Sequence, residues 1–344
     1  MAVWHAAGIH KEGRVIWERQ HHAGRPDNDQ RRASILTFPW KYFAFGFGIR
    51  SERPLPELTE SDVAGDQTVD IRWAEFPSDL AGARYRDRVL QVGGSDIQIT
   101  VRDVARFLLH GGIQITIDVF PEASPRDVRA YLLGTAFGVL CHQRALLPLH
   151  ANAVEIDGHA IAFAGNSGAG KSTLAAYFDR EGYNLLSDDV CAVSFPDAGP
   201  PLAWPGIPRI RLWKDSADAL GKDVEGMERL VSRFEKYDCP RPIRLRRDGL
   251  PLQRIYVLSD PRKYPSAGIF RLIGADAMEA VMAQTFRREF LKLIGAAQGR
   301  FDRAVALVAN VQVFRVPWQH DFRMFPIEAA KLIAHASSDF VACS

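Results

Sequence analysis

Cysteine is scarce: the 344 residues hold four, Cys141, Cys191, Cys239 and Cys343, too scattered for a zinc site or a disulfide framework. That excludes the small, stapled, secreted class and points to a reducing, cytoplasmic setting. Excess charge is missing too. Lysine and arginine total 43 against 41 acidic residues, a net charge of +2, so neither nucleic acid nor an anionic membrane has an electrostatic claim on the chain. Long apolar runs are also lacking. The longest, Ala130 to Cys141, is too short to span a bilayer and lies between Arg129 and Arg144. The opening MAVWHAAGIHKEGRVIWERQ mixes apolar residues with His, Lys, Arg and Glu and has no apolar core of a cleavable signal. No repeat, coiled coil or low-complexity tract appears. What remains is the composition of a soluble globular protein, 47% hydrophobic and 24% charged, long enough for two domains.

What is present is concentrated between His150 and Val190. From Gly165 the residues read GNSGAGKS, the phosphate-loop pattern G-x-x-x-x-G-K-[ST] with Gly165, Gly170, Lys171 and Ser172 at its fixed positions. Glycine is needed because the loop must turn tightly and bring backbone N–H groups against phosphate oxygens. Lys171 supplies a movable charge for the β and γ phosphates, and the Ser172 hydroxyl suits Mg2+. The pattern predicts that Gly165, Asn166, Ser167, Gly168, Ala169, Gly170, Lys171, Ser172 and Thr173 bind the phosphates of ATP. Its context agrees. Ala160 to Ala164 reads as a strand and Lys171 to Arg180 as a helix stopped at Gly182, so the loop precedes a helix N-terminus, where an anion is favoured.

Asp188 and Asp189 follow Lys171 by only 17 and 18 residues, at the end of the apolar run Asn184 to Leu186. The next strand must therefore carry them back to the loop. One carboxylate would hold Mg2+ and the other would accept a proton from an attacking hydroxyl. Aspartate is also common where strands end, a plainer reading that the neighbouring phosphate loop outweighs. Upstream, Asn152 to Ile156, Asp157-Gly158 and His159 to Phe163 read as a hairpin. That puts His150 near the far end of the neighbouring strand, and spacing alone leaves it open between a structural and a site role.

The set of His150, GNSGAGKS and an Asp pair preceded by LLS resembles the core of the HPr serine kinase/phosphorylase family, related to the ATP-dependent phosphoenolpyruvate carboxykinases. The resemblance is tight over about forty residues. It implies an α/β fold with a phosphate-loop kinase core of that type. Its site would place Lys171 on the transferred phosphate, Ser172 and Asp189 on Mg2+, Asp188 or Asp189 as base, and His150 beside the transfer site. The segment WPGIPRIRLWKD, Trp204 to Asp215, departs from the family, carrying arginines where a glutamate-bearing signature would stand. SERPLPEL at Ser51 to Leu58, with LHA, the loop and SDD, is more similar to the HPr-kinase-like proteins of lasso-peptide biosynthesis. That implies a serine kinase acting on a peptide or small protein, in particular the C-terminal serine of a precursor peptide. The rivals are an HPr-type kinase/phosphorylase and a nucleotide-sensing module without catalysis. No nucleic acid or membrane partner is implied, and a homo-oligomer is compatible.

In chain order, residues 1–147 read as an N-terminal β-rich domain and 148–344 as the kinase domain. Gly13 to Trp17, Tyr42 to Ile49, Gln91 to Thr100 and Gly112 to Phe120 read as strands of an antiparallel sheet, and His21 to Ser34 as a loop. Ser124 to Leu147 reads as one connecting helix capped by Ser124 and Pro125. Val190 to Phe195 reads as a strand, Pro196 to Pro208 as a loop, Gln253 to Leu258 as a strand, and Ala277 to Ala296 as a helix. Val311 to Val316 reads as the next strand and Pro326 to His335 as a helix. Arg209, Arg211 and Lys214, then Arg241, Arg244, Arg246 and Arg247, form two basic groups. For any single arginine a solvated face is the simpler reading, while one of them is expected to serve the phosphates.

Overall fold

The computed structural model describes residues 3–9, 15–20, 37–62, 68–213, 236–240, 248–264, 268–291, 293, 297–318 and 324–338. The expected loop over His21 to Ser34 lies outside them, as do Lys214, Arg241, Arg244, Arg246 and Arg247. Contacts divide the chain into residues 1–36 and 37–344. The first unit contributes an antiparallel pair, β1 (Val3–Ile9) and β2 (Val15–Gln20). The boundary expected after residue 147 falls inside the second unit.

That unit is mixed α/β and begins with an eight-stranded sheet. Its strands are β3 (Trp40–Ala44), β4 (Phe47–Ser51), β5 (Thr68–Trp73), β6 (Tyr85–Arg86), β7 (Leu90–Gly93), β8 (Asp96–Val101), β9 (Ala105–His110) and β10 (Gln114–Val119). They lie in the order β3-β4-β5-β10-β9-β8-β7-β6. The sheet is mixed and not wholly antiparallel as expected, because β5 runs parallel to both β4 and β10. The single strand expected over Tyr42 to Ile49 is a hairpin. Phe45 and Gly46 sit at φ 57° and 85°, the mirror-image turn that matches strand twist. Gln91 to Thr100 is likewise broken, at Gly94 (φ 56°), into β7 and β8.

The connecting helix is shorter than expected and uneven. It runs as α1 (Pro125–Tyr131), a π-helical turn over Leu132–Ala136 and α2 (Phe137–Gln143), and Ser124 makes no side-chain cap. It ends there because Ala145 turns left-handed (φ 59°) and Leu147–Leu149 joins a sheet as β11, pairing with β15 (Cys191–Ser194). Its apolar stripe, Val128, Leu132, Leu133, Phe137 and Leu140, packs on the eight-stranded sheet as the periodicity predicts.

The second sheet positions the site. It contains β11, β12 (Ala151–Ile156), β13 (His159–Gly165), β14 (Asn184–Ser187), β15 and β16 (Leu202–Trp204), the last within the expected loop over Pro196 to Pro208. A separate pair is formed by β17 (Arg209–Trp213) and β18 (Lys236–Pro240). The large sheet is completed by β19 (Leu250–Ser259), β20 (Phe270–Leu272) and β21 (Gln312–Pro317). At its centre β13, β19 and β21 run parallel, whereas β12 is antiparallel to β13.

Alternation divides the apolar residues between two faces. Ile161, Phe163, Tyr256, Leu258 and Phe314 meet α3 (Lys171–Arg180) and, beyond it, α7 (Phe325–Ser337), whose Phe325, Ala329 and Leu332 join the same core. Ala160, Ala162, Ile255, Val257 and Val313 meet α4 (Gly274–Ala283) and α6 (Ala297–Asn310). The helix expected over Ala277 to Ala296 ends at Ala283, and only a short helix, α5 (Arg288–Leu291), resumes. Between them Gln284 to Phe286 pairs with the stretch before β12, a tertiary contact that local periodicity does not reveal. Among the described residues no helix is long and apolar enough to cross a membrane.

Candidate functional site

The loop between β13 and α3 has the backbone its glycines promise. Gly165 sits where a Cβ would lie 2.9 Å from the Leu258 carbonyl oxygen, a backbone atom that cannot yield. Gly168 and Gly170 take left-handed φ values of 81° and 87°, and Gly170 precedes the first turn of α3. The Gly170 carbonyl accepts from Leu174 N–H at 2.9 Å, and Ala169 N–H closes a turn on Asn166 O at 3.0 Å. Asn166, Ser167 and Gly168 are exposed, so the loop faces solvent above a helix N-terminus.

Lys171 is buried at 7% exposure, and its ammonium donates to Gly165 O at 2.7 Å and Asn166 O at 3.0 Å. The third neighbour is His150 Nε2, 3.1 Å away. An ammonium has donors only, so Nε2 accepts and the imidazole proton sits on Nδ1. That nitrogen faces Asp189, 3.1 Å from its carbonyl oxygen and 3.4 Å from Oδ1. The hairpin explains the proximity. Asp157 and Gly158 (φ 49° and 78°) close a two-residue turn, and the register pairs Ala151 with Ala164, so the residue before β12 lies at the loop end of β13. The far end of the strand is thus the end beside the cradle. Asn152, fully buried, donates from Nδ2 to Lys171 O and ties β12 to the helix start.

The acids arrive on β14, which pairs with β12 through Ala153 and Ser187 and so delivers the next two residues to the same end. Ser172 Oγ donates to Asp188 at 3.1 Å (Oδ1) and 3.4 Å (Oδ2), and Asp188 Oδ2 also accepts Arg211 N–H at 2.8 Å. Asp189 adopts φ 75°, which turns its side chain away from that of Asp188. Its Oδ2 meets Arg211 Nη1 at 2.6 Å. The two carboxylates therefore diverge: Asp188 goes to the serine, Asp189 to Arg211 and His150. Ser172 and Asp189, paired in sequence as the Mg2+ ligands, are not in mutual contact through the serine hydroxyl. That contact belongs to Asp188.

A serine hydroxyl with a carboxylate is a hard oxygen set that suits Mg2+, which binds through one or two carboxylates and completes its shell with water and phosphate. Among the described residues no group of three His, Cys, Asp or Glu side chains is placed to hold a metal ion.

The remaining wall is not legible as a site in the sequence. Phe286 N–H donates to Pro148 O at 2.9 Å, and His150 N–H to Gln284 O at 2.7 Å. The Phe286 ring lies 5.9 Å from that of His150, and Arg287 donates to Thr135 Oγ1 at 2.8 Å. With Arg211 and Asp189, the residues Thr135, His150, Gln284, Phe286 and Arg287 line a cleft of about 470 Å3. In sequence Arg211 is only one of a basic group; its β17 position, with β17 paired to β18, is what singles it out. Cys141 and Cys191 take no part. Both are buried, and burial pushes each thiol up to about 12.

No family model matches the chain, and no curated protein matches it. Among solved structures it is similar to the Hpr(Ser) kinase/phosphatase from Coxiella burnetii, at 13% identity and a TM-score of 0.28, over 57% of this chain and 99% of that one.

Proposed function

We propose that the chain is an ATP-dependent serine kinase whose transfer site lies between the phosphate loop and Asp189. The observation that carries this reading is convergence. Lys171, Ser172, both aspartates and His150 come from separate stretches and meet at one loop end through direct contacts. ATP is the donor substrate, its β and γ phosphates taken by the loop amides and by Lys171, which exchanges its carbonyl partners for phosphate oxygens. Ser172 and Asp188 hold Mg2+, which when bound neutralises charge on the phosphates. Asp189 takes the proton of the acceptor hydroxyl as that oxygen bonds to the γ phosphorus and the bond to the bridging oxygen of ADP breaks. His150 and Arg211 hold Asp189 in place.

The acceptor assigned here is a serine hydroxyl of a peptide, in particular a C-terminal serine on a lasso-peptide precursor. This rests on the resemblance of His150 to Asp189 and Ser51 to Leu58 to such kinases. The test is incubation with γ-labelled ATP and Mg2+ beside a short peptide ending in serine, HPr, or water alone. Label on the peptide is expected. Label on HPr would replace the acceptor, and free phosphate alone would favour a nucleotide-driven switch. Lys171→Ala and Asp188→Asn should each lower transfer by roughly 100-fold or more while leaving the fold intact. Normal activity in either variant would remove the reading.

A further inference from the structure

Two cavities flank the phosphate loop, and Asn166 and Ser167 line both. The smaller holds His150, Asp189 and Arg211; the larger, about 690 Å3, opens beside the carboxyl ends of β13, β19 and β21 and is lined by residues just beyond them. We infer that the larger cavity takes the nucleoside of the donor, with Tyr264 as the platform on which the base stacks, an assignment that rests on the kinase reading above.

Three observations carry it. The first is topology: β13, β19 and β21 are parallel, and a crevice outside the carboxyl ends of parallel strands is where open α/β sheets hold ligands. On its other side β13 meets antiparallel β12, which brings His150 and, through β14, the acids. The second is polarity of the phosphate chain. Its transferable end must face Asp189, so the end that bears the sugar leaves over Asn166 and Ser167 toward β19. The third is chemistry. Tyr264 is 39% exposed, and the Arg315 guanidinium lies 4.2 Å from its ring centroid. An exposed aromatic ring with a guanidinium over it suits a purine face. Asp260 receives Arg262 through both N–H and guanidinium, which shapes the turn that leads to Tyr264. Glu279, also in the lining, is an acceptor for sugar hydroxyls. The volume lies within the roughly 300–1,000 Å3 of small-molecule sites.

The experiment compares ATP with inorganic tripolyphosphate, binding to the full chain measured by calorimetry. Tyr264→Ala is expected to weaken ATP by roughly 5- to 150-fold, the range of one lost base stack, with tripolyphosphate affinity unchanged and Tyr264→Phe near wild type. Equal loss for both ligands, or none, overturns the assignment. A loss of ATP affinity in Arg288→Ala but not in Tyr264→Ala would put the nucleoside in the smaller cavity and overturn it as well. If wild type binds neither ligand, the kinase reading falls first and takes this inference with it.

Discussion

Arg211 shows how much one residue can organise. Its backbone N–H holds Asp188 and its guanidinium holds Asp189, so it keeps two adjacent carboxylates, which would otherwise repel each other, in separate places. The Arg211 side chain is 8% exposed, and removing one partner of so buried a pair strands the other charge. Arg211→Ala should therefore cost about 3 kcal/mol of stability by urea denaturation. Adding Asp189→Asn should cost clearly less than the sum of the two single changes, because the stranded charge is gone. Strict additivity would show that the pair is not coupled. The acids' duties separate in the same assay of transfer. Both changes should lower transfer, but the loss in Asp188→Asn should come with a higher Mg2+ concentration for half-maximal rate, whereas that concentration should stay unchanged in Asp189→Asn.

At the scale of elements, α2 is fitted to the site by an absent side chain. A Cβ at Gly138 would lie 2.4 Å from Phe286 Cε1, so the helix leaves room for the ring that backs His150. Alanine there gains about 1 kcal/mol in helix propensity but meets an overpacking cost of about 1–3 kcal/mol. Gly138→Ala should thus change the melting temperature little while lowering phosphoryl transfer, since the Phe286 ring must leave its place beside His150. A variant with wild-type activity would mean that this wall does not support the site.

Across residues 37–344, the eight-stranded sheet and the phosphate-loop sheet are joined through the β3–β4 turn. Phe45 is buried, its N–H donates to Pro205 O at 2.7 Å, and its ring lies 5.9 Å from that of Phe137. Gly206, next in line, packs against Phe45 and against Ser187, the residue before the acids. Ser51 to Leu58 belongs to the eight-stranded sheet's side of the molecule: Leu55 is fully buried in its core and Glu57 pairs with Arg129 of α1 at 2.8 Å. Phe45→Ala should cost about 3–5 kcal/mol. Chemical denaturation should show one transition, with fluorescence and circular dichroism coincident. Two separated transitions would mean that the sheets fold independently.

Local rules settled a good deal from the sequence alone. GNSGAGKS, its strand and helix, the Asp157-Gly158 hairpin and the stop at Gly182 are all governed by contacts within a few residues, and all appear where expected. The convergence of the acids on the loop came from counting residues. Tertiary structure alone decided which acid takes Ser172, that Gln284 to Phe286 would leave its helix to pair beside His150, and that Arg211 would reach both aspartates. Each depends on partners well apart in the chain, from 16 residues between Ser172 and Asp188 to 138 between Pro148 and Phe286. Periodicity describes a segment against an unspecified apolar background. It carries no information on which distant backbone group will compete for that segment's hydrogen bonds.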